Sequence, residues 1–112
     1  MRFEVLLGPE DGEQKGREGD RVTLGRGVEN DIPFSYAGKV SGRHAEIGME
    51  GGKYYIIDMG NRGEGSTNGT IILNKGIEIW REVNTPPLPG EKELIEPGDI
   101  IILGRSIWLE FL

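Results

Sequence analysis

Three short segments of the chain carry residue types that can bind an anion and a peptide backbone. Arg26 follows a glycine at the end of an apolar run, and its planar guanidinium can donate two parallel N–H bonds to a phosphate. Ser41 adds a neutral hydroxyl donor, and Asn68 has both a donor and an acceptor, so it can bind the main chain of a peptide. The neighbouring Gly25 and Gly69 allow close approach of the backbone and expose its N–H groups. Together these residues predict a site for a phosphorylated peptide.

Catalysis, metal binding and nucleotide binding fit the same residues less well. Ser41 and His44 could be a nucleophile and its base, but such a pair needs an orienting acid and an oxyanion hole, and no Gly-x-Ser-x-Gly elbow is present. One histidine and no cysteine argue against zinc. The glycine-rich segment 60–69 lacks the Gly-Lys-Ser/Thr of a phosphate loop. We therefore expect no enzyme activity, no metal and no cofactor; a hydrolase using Ser41 and His44 is a weaker alternative that a serine-directed probe would detect.

Length and composition indicate a single domain over residues 1–112. Of the 112 residues, 36% are hydrophobic, and they occur in short runs. No run approaches the ~20 apolar residues of a membrane helix. The N-terminus resembles neither a signal peptide nor a transit peptide, and without cysteine there is no disulfide framework. We expect a cytoplasmic monomer with no membrane partner.

Charge is distributed unevenly along the chain. The formal net charge of −6 argues against a nucleic-acid partner, which would require a basic face. Basic residues nevertheless occur near the predicted site, namely Arg26, Lys39, Arg43 and Arg62, whereas acidic residues crowd elsewhere. A local basic site on an acidic protein fits one anionic group better than a polyanion.

Short strands must position these segments. Alternating apolar residues and turn signals predict strands throughout, and no window of ten residues has a convincing helical period. Turns are predicted at Met49–Lys53, Asn74–Gly76 and Gly104–Arg105, and a polar loop at Gly8–Gly19. This pattern predicts an all-β sandwich or barrel whose end loops carry function. The predicted strands are Arg2–Leu7, Arg21–Leu24, Asn30–Ile32, Ala45–Met49, Lys53–Asp58, Thr70–Leu73, Ile77–Val83, Glu93–Ile95, Ile100–Leu103 and Ser106–Leu112.

The order of the motifs resembles that of the forkhead-associated (FHA) domain family. Gly25–Arg26, Ser41 with His44 three residues later, Ser66–Thr70 and Pro97–Gly104 occur in the family's order and cover most of the chain. Any one segment would be weak evidence, but four in order are specific. The resemblance implies an FHA-like β-sandwich of two twisted, mostly antiparallel sheets with about eleven short strands. It also implies a non-catalytic module that binds a threonine-phosphorylated protein or peptide.

The resemblance further implies a role for each residue of the site. Arg26 would pair with the phosphate, and Ser41 would hydrogen-bond to it. Thr67 would help to form the site, and Asn68 would bind the peptide main chain next to the phosphothreonine. The residues that would support the site without contacting the ligand are Gly25, His44 and Gly69.

The chain departs from the family pattern at two places in the predicted site. The family often has Arg or Asn after the serine, whereas here Gly42 follows, so that contact is lost or comes from Arg43 or a backbone N–H. The segment Asn61–Gly65 resembles an insertion, in which Arg62 could reach the phosphate or Glu64 could weaken the site. Both departures bear on the affinity for phosphate.

A phospho-independent scaffold or oligomerisation domain on the same fold is the alternative function. Gly42 and the added loop favour it modestly, and so would an apolar surface around Trp80. Trp80 precedes the segment Arg81–Gly90, which is longer than the usual loop of the family. The chain could also be one domain of a longer signalling protein.

Overall fold

Eleven β-strands are present in the part of the chain that the computed structural model describes, residues 1–75, 80–82 and 90–112. Within these ranges no helix is long and apolar enough to cross a membrane. The strands are β1 (Arg2–Leu7), β2 (Gln14–Gly16), β3 (Arg21–Gly25), β4 (Ile32–Pro33), β5 (Ala45–Glu50), β6 (Lys53–Asp58), β7 (Thr70–Lys75), β8 (Trp80–Glu82), β9 (Lys92–Ile95), β10 (Ile100–Leu103) and β11 (Ile107–Phe111).

The strands form two sheets. One has six strands in the order β2-β1-β11-β10-β7-β8, and the other has five in the order β4-β3-β5-β6-β9. Among the described strands every pairing is antiparallel except that of β3 with β4. The predicted all-β sandwich of two mostly antiparallel sheets is therefore confirmed.

The core lies between the two sheets and follows from period-two alternation. In β11 the side chains of Ile107, Leu109 and Phe111 are buried, and the residues between them are only half-buried. The Phe111 ring lies 5.5 Å from that of Phe3 and 4.9 Å from that of Tyr54, so it joins the two sheets. Full burial of each such side chain contributes roughly 1.5–3 kcal/mol. This core holds the strand ends rigidly, which is what a loop-based site needs.

Several strand ends meet at one end of the sandwich, which we call the loop end. Leu24 of β3 pairs with Ala45 of β5, and Ala45 pairs with Asp58 of β6. In the other sheet Thr70 of β7 pairs with Leu103 of β10. The loops that leave or enter the strands at these positions therefore lie close together. The loop end consists of residues 25–31, 38–44, 59–69 and 104–106.

The two chain termini lie together at the opposite end. Phe3 pairs with Phe111, and the N–H of Leu112 donates to the carbonyl of Arg2 at 3.0 Å. Because β11 runs from the loop end at Ile107 towards Phe111, its last residue is remote from the loops.

The structure corrects the predicted strand boundaries in several places. Gln14–Gly16, predicted to be part of a polar loop, forms the edge strand β2 and pairs with β1. Its three residues are polar or small and none is buried, so no alternation of apolar and polar residues marks this strand in the sequence. Strand β7 continues through Lys75, where a turn was predicted. Of the predicted strand Ile77–Val83 only β8 is described; its other residues and the Trp80 side chain lie outside the described part.

Candidate functional site

The end of β3 is fastened to the segment that contains Ser41. The N–H of Arg26 donates to the carbonyl of Ser41 at 2.9 Å, and the N–H of Gly27 donates to that of Gly42 at 3.0 Å. The two segments approach so closely that a Cβ on Gly25 would overlap the Gly42 carbonyl oxygen. Only glycine fits at position 25 without displacing this backbone. Arg26 and Ser41 are thereby held side by side.

Asn30 strengthens this contact from a buried position. Its side-chain Nδ2 donates to the carbonyls of Gly27 at 2.7 Å and Gly42 at 2.6 Å. The residue is only 6% exposed, so the amide satisfies two carbonyls that water reaches poorly. Sequence reasoning placed Asn30 in a brief strand and missed this supporting role.

His44 joins two loops from the interior. Its ring is fully buried, Nδ1 accepts a bond from the N–H of Ser41 at 3.0 Å, and Nε2 lies 2.8 Å from the carbonyl oxygen of Gly69. Because a carbonyl can only accept, Nε2 carries the proton and Nδ1 is the acceptor. Burial lowers the pKa of His44 below its ordinary value, although the Gly69 carbonyl and the Asp58 carboxylate act in the opposite direction. Both ring nitrogens therefore bond to backbone, and neither bonds to the Ser41 hydroxyl as a catalytic base would.

The buried His44 predicts a loss of stability in mild acid. The ordinary histidine pKa is about 6.5, and the folded value is lower, so below about pH 6.5 the unfolded chain binds the proton first. The free energy of unfolding should then fall by up to about 1.4 kcal/mol per pH unit until the folded pKa is reached. Denaturant unfolding at pH 7.5, 6.5 and 5.5 measures this slope. His44→Gln, which cannot titrate, should show a shallower slope, and equal slopes in both proteins would contradict the prediction.

Asp58 organises the segment Ser66–Thr70. Its carboxylate is 3% exposed and accepts bonds from the backbone N–H of Ser66 at 2.5 Å, from the Ser66 hydroxyl at 2.6 Å and from the Thr70 hydroxyl at 2.6 Å. The Ser66 oxygen in turn accepts from the N–H of Gly69 at 3.0 Å. Gly69 has a φ of +82°, which a residue with a side chain rarely adopts. Asp58 was not among the predicted site residues, because a single aspartate at a strand end carries no distinctive signal.

This segment contacts the Ser41 loop at two further points. The backbone N–H of Thr67 donates to the Ser41 hydroxyl oxygen at 3.1 Å, so the Ser41 hydroxyl proton is still available for another acceptor. The Asn68 side chain donates from Nδ2 to the carbonyl of Lys39 at 2.9 Å, which leaves its Oδ1 free to accept. Thr67 and Asn68 are both exposed. Sequence-distant residues thus form one interlocked polar surface.

The cations of the loop end are exposed and carry no carboxylate partner within the described residues. The ion pairs within the described residues are formed by four cations outside the loop end, namely Lys15, Arg17, Arg21 and Lys92. Arg26 donates one bond, at 3.2 Å, to the carbonyl of Gly38, so most of its donors are unused. Within the described residues, the loop-end cations without an ion pair are Arg26, Lys39, Arg43, Arg62 and Arg105.

The segment Asn61–Gly65 forms a closed excursion from the end of β6. The N–H of Gly65 donates to the carbonyl of Met59 at 2.9 Å, so the chain returns to where it left. Gly60 has a φ of +74°, and a Cβ there would overlap the Gly65 carbonyl. Ser66, directly after this excursion, bonds to Asp58. Arg62 is exposed, and the described residues give its side chain no hydrogen bond, so its predicted phosphate contact stays a prediction.

The chain is thus a β-sandwich of two sheets with an interlocked set of polar loops at one end. The family model of the FHA domain matches residues 22–104, which is most of the chain. The chain therefore belongs to the FHA domain family.

Relatives and solved structures agree with this assignment. The chain is 35% identical over 97 residues to Protein FraH of a Nostoc species; the match covers 87% of this chain but 27% of FraH, so the chain spans about a quarter of that relative. An FHA domain of an Arabidopsis thaliana hypothetical protein superimposes with a TM-score of 0.73 at 27% identity, over 97% of this chain and 80% of that one. Mycobacterium tuberculosis EmbR, solved with a low-affinity phosphopeptide, shares the fold with a TM-score of 0.66 at 21% identity, over 98% of this chain and 24% of that one.

Proposed function

We propose that this domain is a non-catalytic interaction module that binds threonine-phosphorylated proteins through its loop end. The observation that carries the proposal is the juxtaposition of Arg26 and Ser41. The Arg26 guanidinium has unused donors and no carboxylate partner within the described residues, and the Ser41 hydroxyl has a proton left to donate. A phosphate between them would receive charge-assisted hydrogen bonds from donors that are already held in place.

The remaining residues of the loop end have complementary roles in this proposal. Asn68 would accept a bond from a main-chain N–H of the peptide through Oδ1, because its Nδ2 already bonds to Lys39. Thr67 would fix the Ser41 hydroxyl through its backbone N–H. Arg43 and Arg62, exposed at the same end, would add positive charge around the phosphate. The residues proposed to support this arrangement from behind are Gly25, His44 and Gly69.

Membership of the FHA family supports a phosphorylated peptide as the ligand. EmbR, which shares this fold, was solved in complex with a low-affinity phosphopeptide. Recognition of phosphorylated peptides by arginine-containing sites is a general mode of protein interaction. No metal or cofactor is required, since every group in the proposed contact is a side chain or a backbone N–H. We expect residues 1–112 to act as one domain and to bind as a monomer.

A titration with paired peptide pools tests the proposed function. One pool has a central phosphothreonine with randomised flanks, and the other is identical but unphosphorylated. Binding in the micromolar range, about −8 kcal/mol, is expected only for the phosphorylated pool, and it should weaken as salt is raised. A phosphoserine pool should bind more weakly by about 0.8 kcal/mol or more if the threonine methyl group is buried.

The outcomes separate the two candidate functions. Equal binding of both pools would contradict phosphate recognition and favour the phospho-independent scaffold. No binding to either pool, together with concentration-dependent self-association in sedimentation, would favour the oligomerisation domain.

A further inference from the structure

The two departures from the family pattern, Gly42 and the excursion Asn61–Gly65, meet at a single contact. A Cβ on Gly42 would lie 2.8 Å from Oδ1 of Asn61, closer than real side-chain contacts allow. With a side chain at position 42, the Asn61 amide would have to shift from this place. The same Oδ1 accepts a bond from the N–H of Arg43 at 2.9 Å, which fixes the orientation of the amide.

The other half of the Asn61 amide is unused. With Oδ1 bonded to Arg43, the Nδ2 group carries two N–H donors, and the described residues provide no acceptor for either. Asn61 is exposed, so these donors face solvent or a ligand. They lie beside the segment 41–43, which includes the hydroxyl proposed to bind phosphate. The closed base of the excursion, where Gly65 bonds to Met59, limits how far this amide can move.

We propose that Asn61 is a phosphate-contacting residue, whose Nδ2 donates to the phosphothreonine in the place that a side chain at position 42 would otherwise take. This inference rests on the proposed function. It assigns the excursion a role in affinity instead of treating it as an interruption. It also explains why Gly42 does not empty this side of the site, since a neutral amide from another loop fills the space.

A double-mutant cycle tests the coupling between the two positions. Asn61→Ala should weaken binding of the phosphothreonine pool about 10-fold, as expected for loss of one hydrogen bond to a charged group. Gly42→Ala removes no donor, but its added methyl should displace the Asn61 amide and weaken binding similarly. In the Asn61→Ala background, Gly42→Ala should have almost no further effect. The matched control is Gln14→Ala on the distant strand β2, which should bind the pool like wild type.

A third variant distinguishes contact from support. Asn61→Asp keeps the oxygen that accepts from Arg43 but replaces the N–H donors by negative charge. If Asn61 contacts the phosphate, Asp should bind the pool more weakly than Ala does. If Asn61 only holds the loop, any deficit of Asp relative to Ala comes from long-range repulsion and should disappear at high salt. Scalar coupling between 15N of the Asn61 side chain and 31P of bound phosphothreonine would show the hydrogen bond directly.

The results separate the proposed phosphopeptide binding from the proposed role of Asn61 in it. Wild-type protein that fails to distinguish phosphorylated from unphosphorylated pools overturns the proposed function and this inference together. Wild-type protein that binds the phosphorylated pool while Asn61→Ala binds it equally well overturns only the role of Asn61. Additive effects of Gly42→Ala and Asn61→Ala, or tighter binding by Asp than by Ala, also overturn it.

Discussion

Replacing Arg26 by alanine is expected to weaken phosphothreonine-peptide binding by about 30-fold or more. Removing one partner of a charge-assisted contact costs on the order of 2–5 kcal/mol when the other charge is left without a substitute. The remaining loop-end cations belong to other segments and cannot reproduce the paired donors of this guanidinium. Titration of the phosphothreonine pool against wild type and variant measures the loss.

Stability should be nearly unchanged in the same variant. The Arg26 side chain is exposed, and its one hydrogen bond within the described part of the chain is to Gly38, so its removal leaves the core intact. Arg2→Ala, which removes an exposed arginine from the opposite end, should bind like wild type. Arg26→Lys keeps the charge but loses the planar fork and should lie between wild type and alanine. An Arg26→Ala protein that is folded and binds with undiminished affinity would refute the assignment of the phosphate site.

Replacing Asp58 by asparagine is expected to lower the free energy of unfolding by about 2–4 kcal/mol. The buried carboxylate accepts three hydrogen bonds, and asparagine turns one of its oxygens into a donor that faces other donors. Phosphopeptide affinity should also fall, because Ser66 and Thr70 would no longer hold the Thr67–Gly69 turn in place. Denaturant unfolding and the peptide titration measure the two effects.

Asp20→Asn provides the comparison for this substitution. Asp20 is exposed and its side chain has no hydrogen bond among the described residues, so its replacement should change stability by less than about 0.5 kcal/mol. If Asp58→Asn is as stable as Asp20→Asn, the carboxylate does not organise the loop as described.

The fold was predictable from local features, and the strands that escaped prediction lack those features. In β1 and β11 buried side chains alternate with half-buried or exposed ones, and this alternation predicted both strands, although Leu7 at the end of β1 is exposed. The edge strand β2 has three polar or small residues and is defined by pairing with β1 alone. No residue type within Gln14–Gly16 indicates that this segment pairs with β1, whose Phe3 lies opposite Lys15 and twelve residues earlier in the chain.

The sequence predicted only those residues of the site that belong to short motifs. Arg26, Ser41 and Asn68 stand in recognisable local patterns. Asn30 and Asp58 do not, because their importance comes from hydrogen bonds to loops that fold back from elsewhere. The clearest case is Gly42 with the Asn61 excursion, which are nineteen residues apart and look like two unrelated irregularities until the contact between them is seen.

The neighbouring termini have a practical consequence for attachment. Because Arg2 and Leu112 are hydrogen-bonded to each other at the end remote from the loops, a surface, fluorophore or fusion partner joined at either terminus leaves the loop end pointing outward. A short linker between them would close the chain into a ring that could be reopened in an exposed turn, such as Gly51–Gly52, with the strand pairings preserved. Immobilised through a terminus, the domain would present its loop end to solution, which is the orientation that a capture reagent needs if the proposed phosphopeptide binding holds.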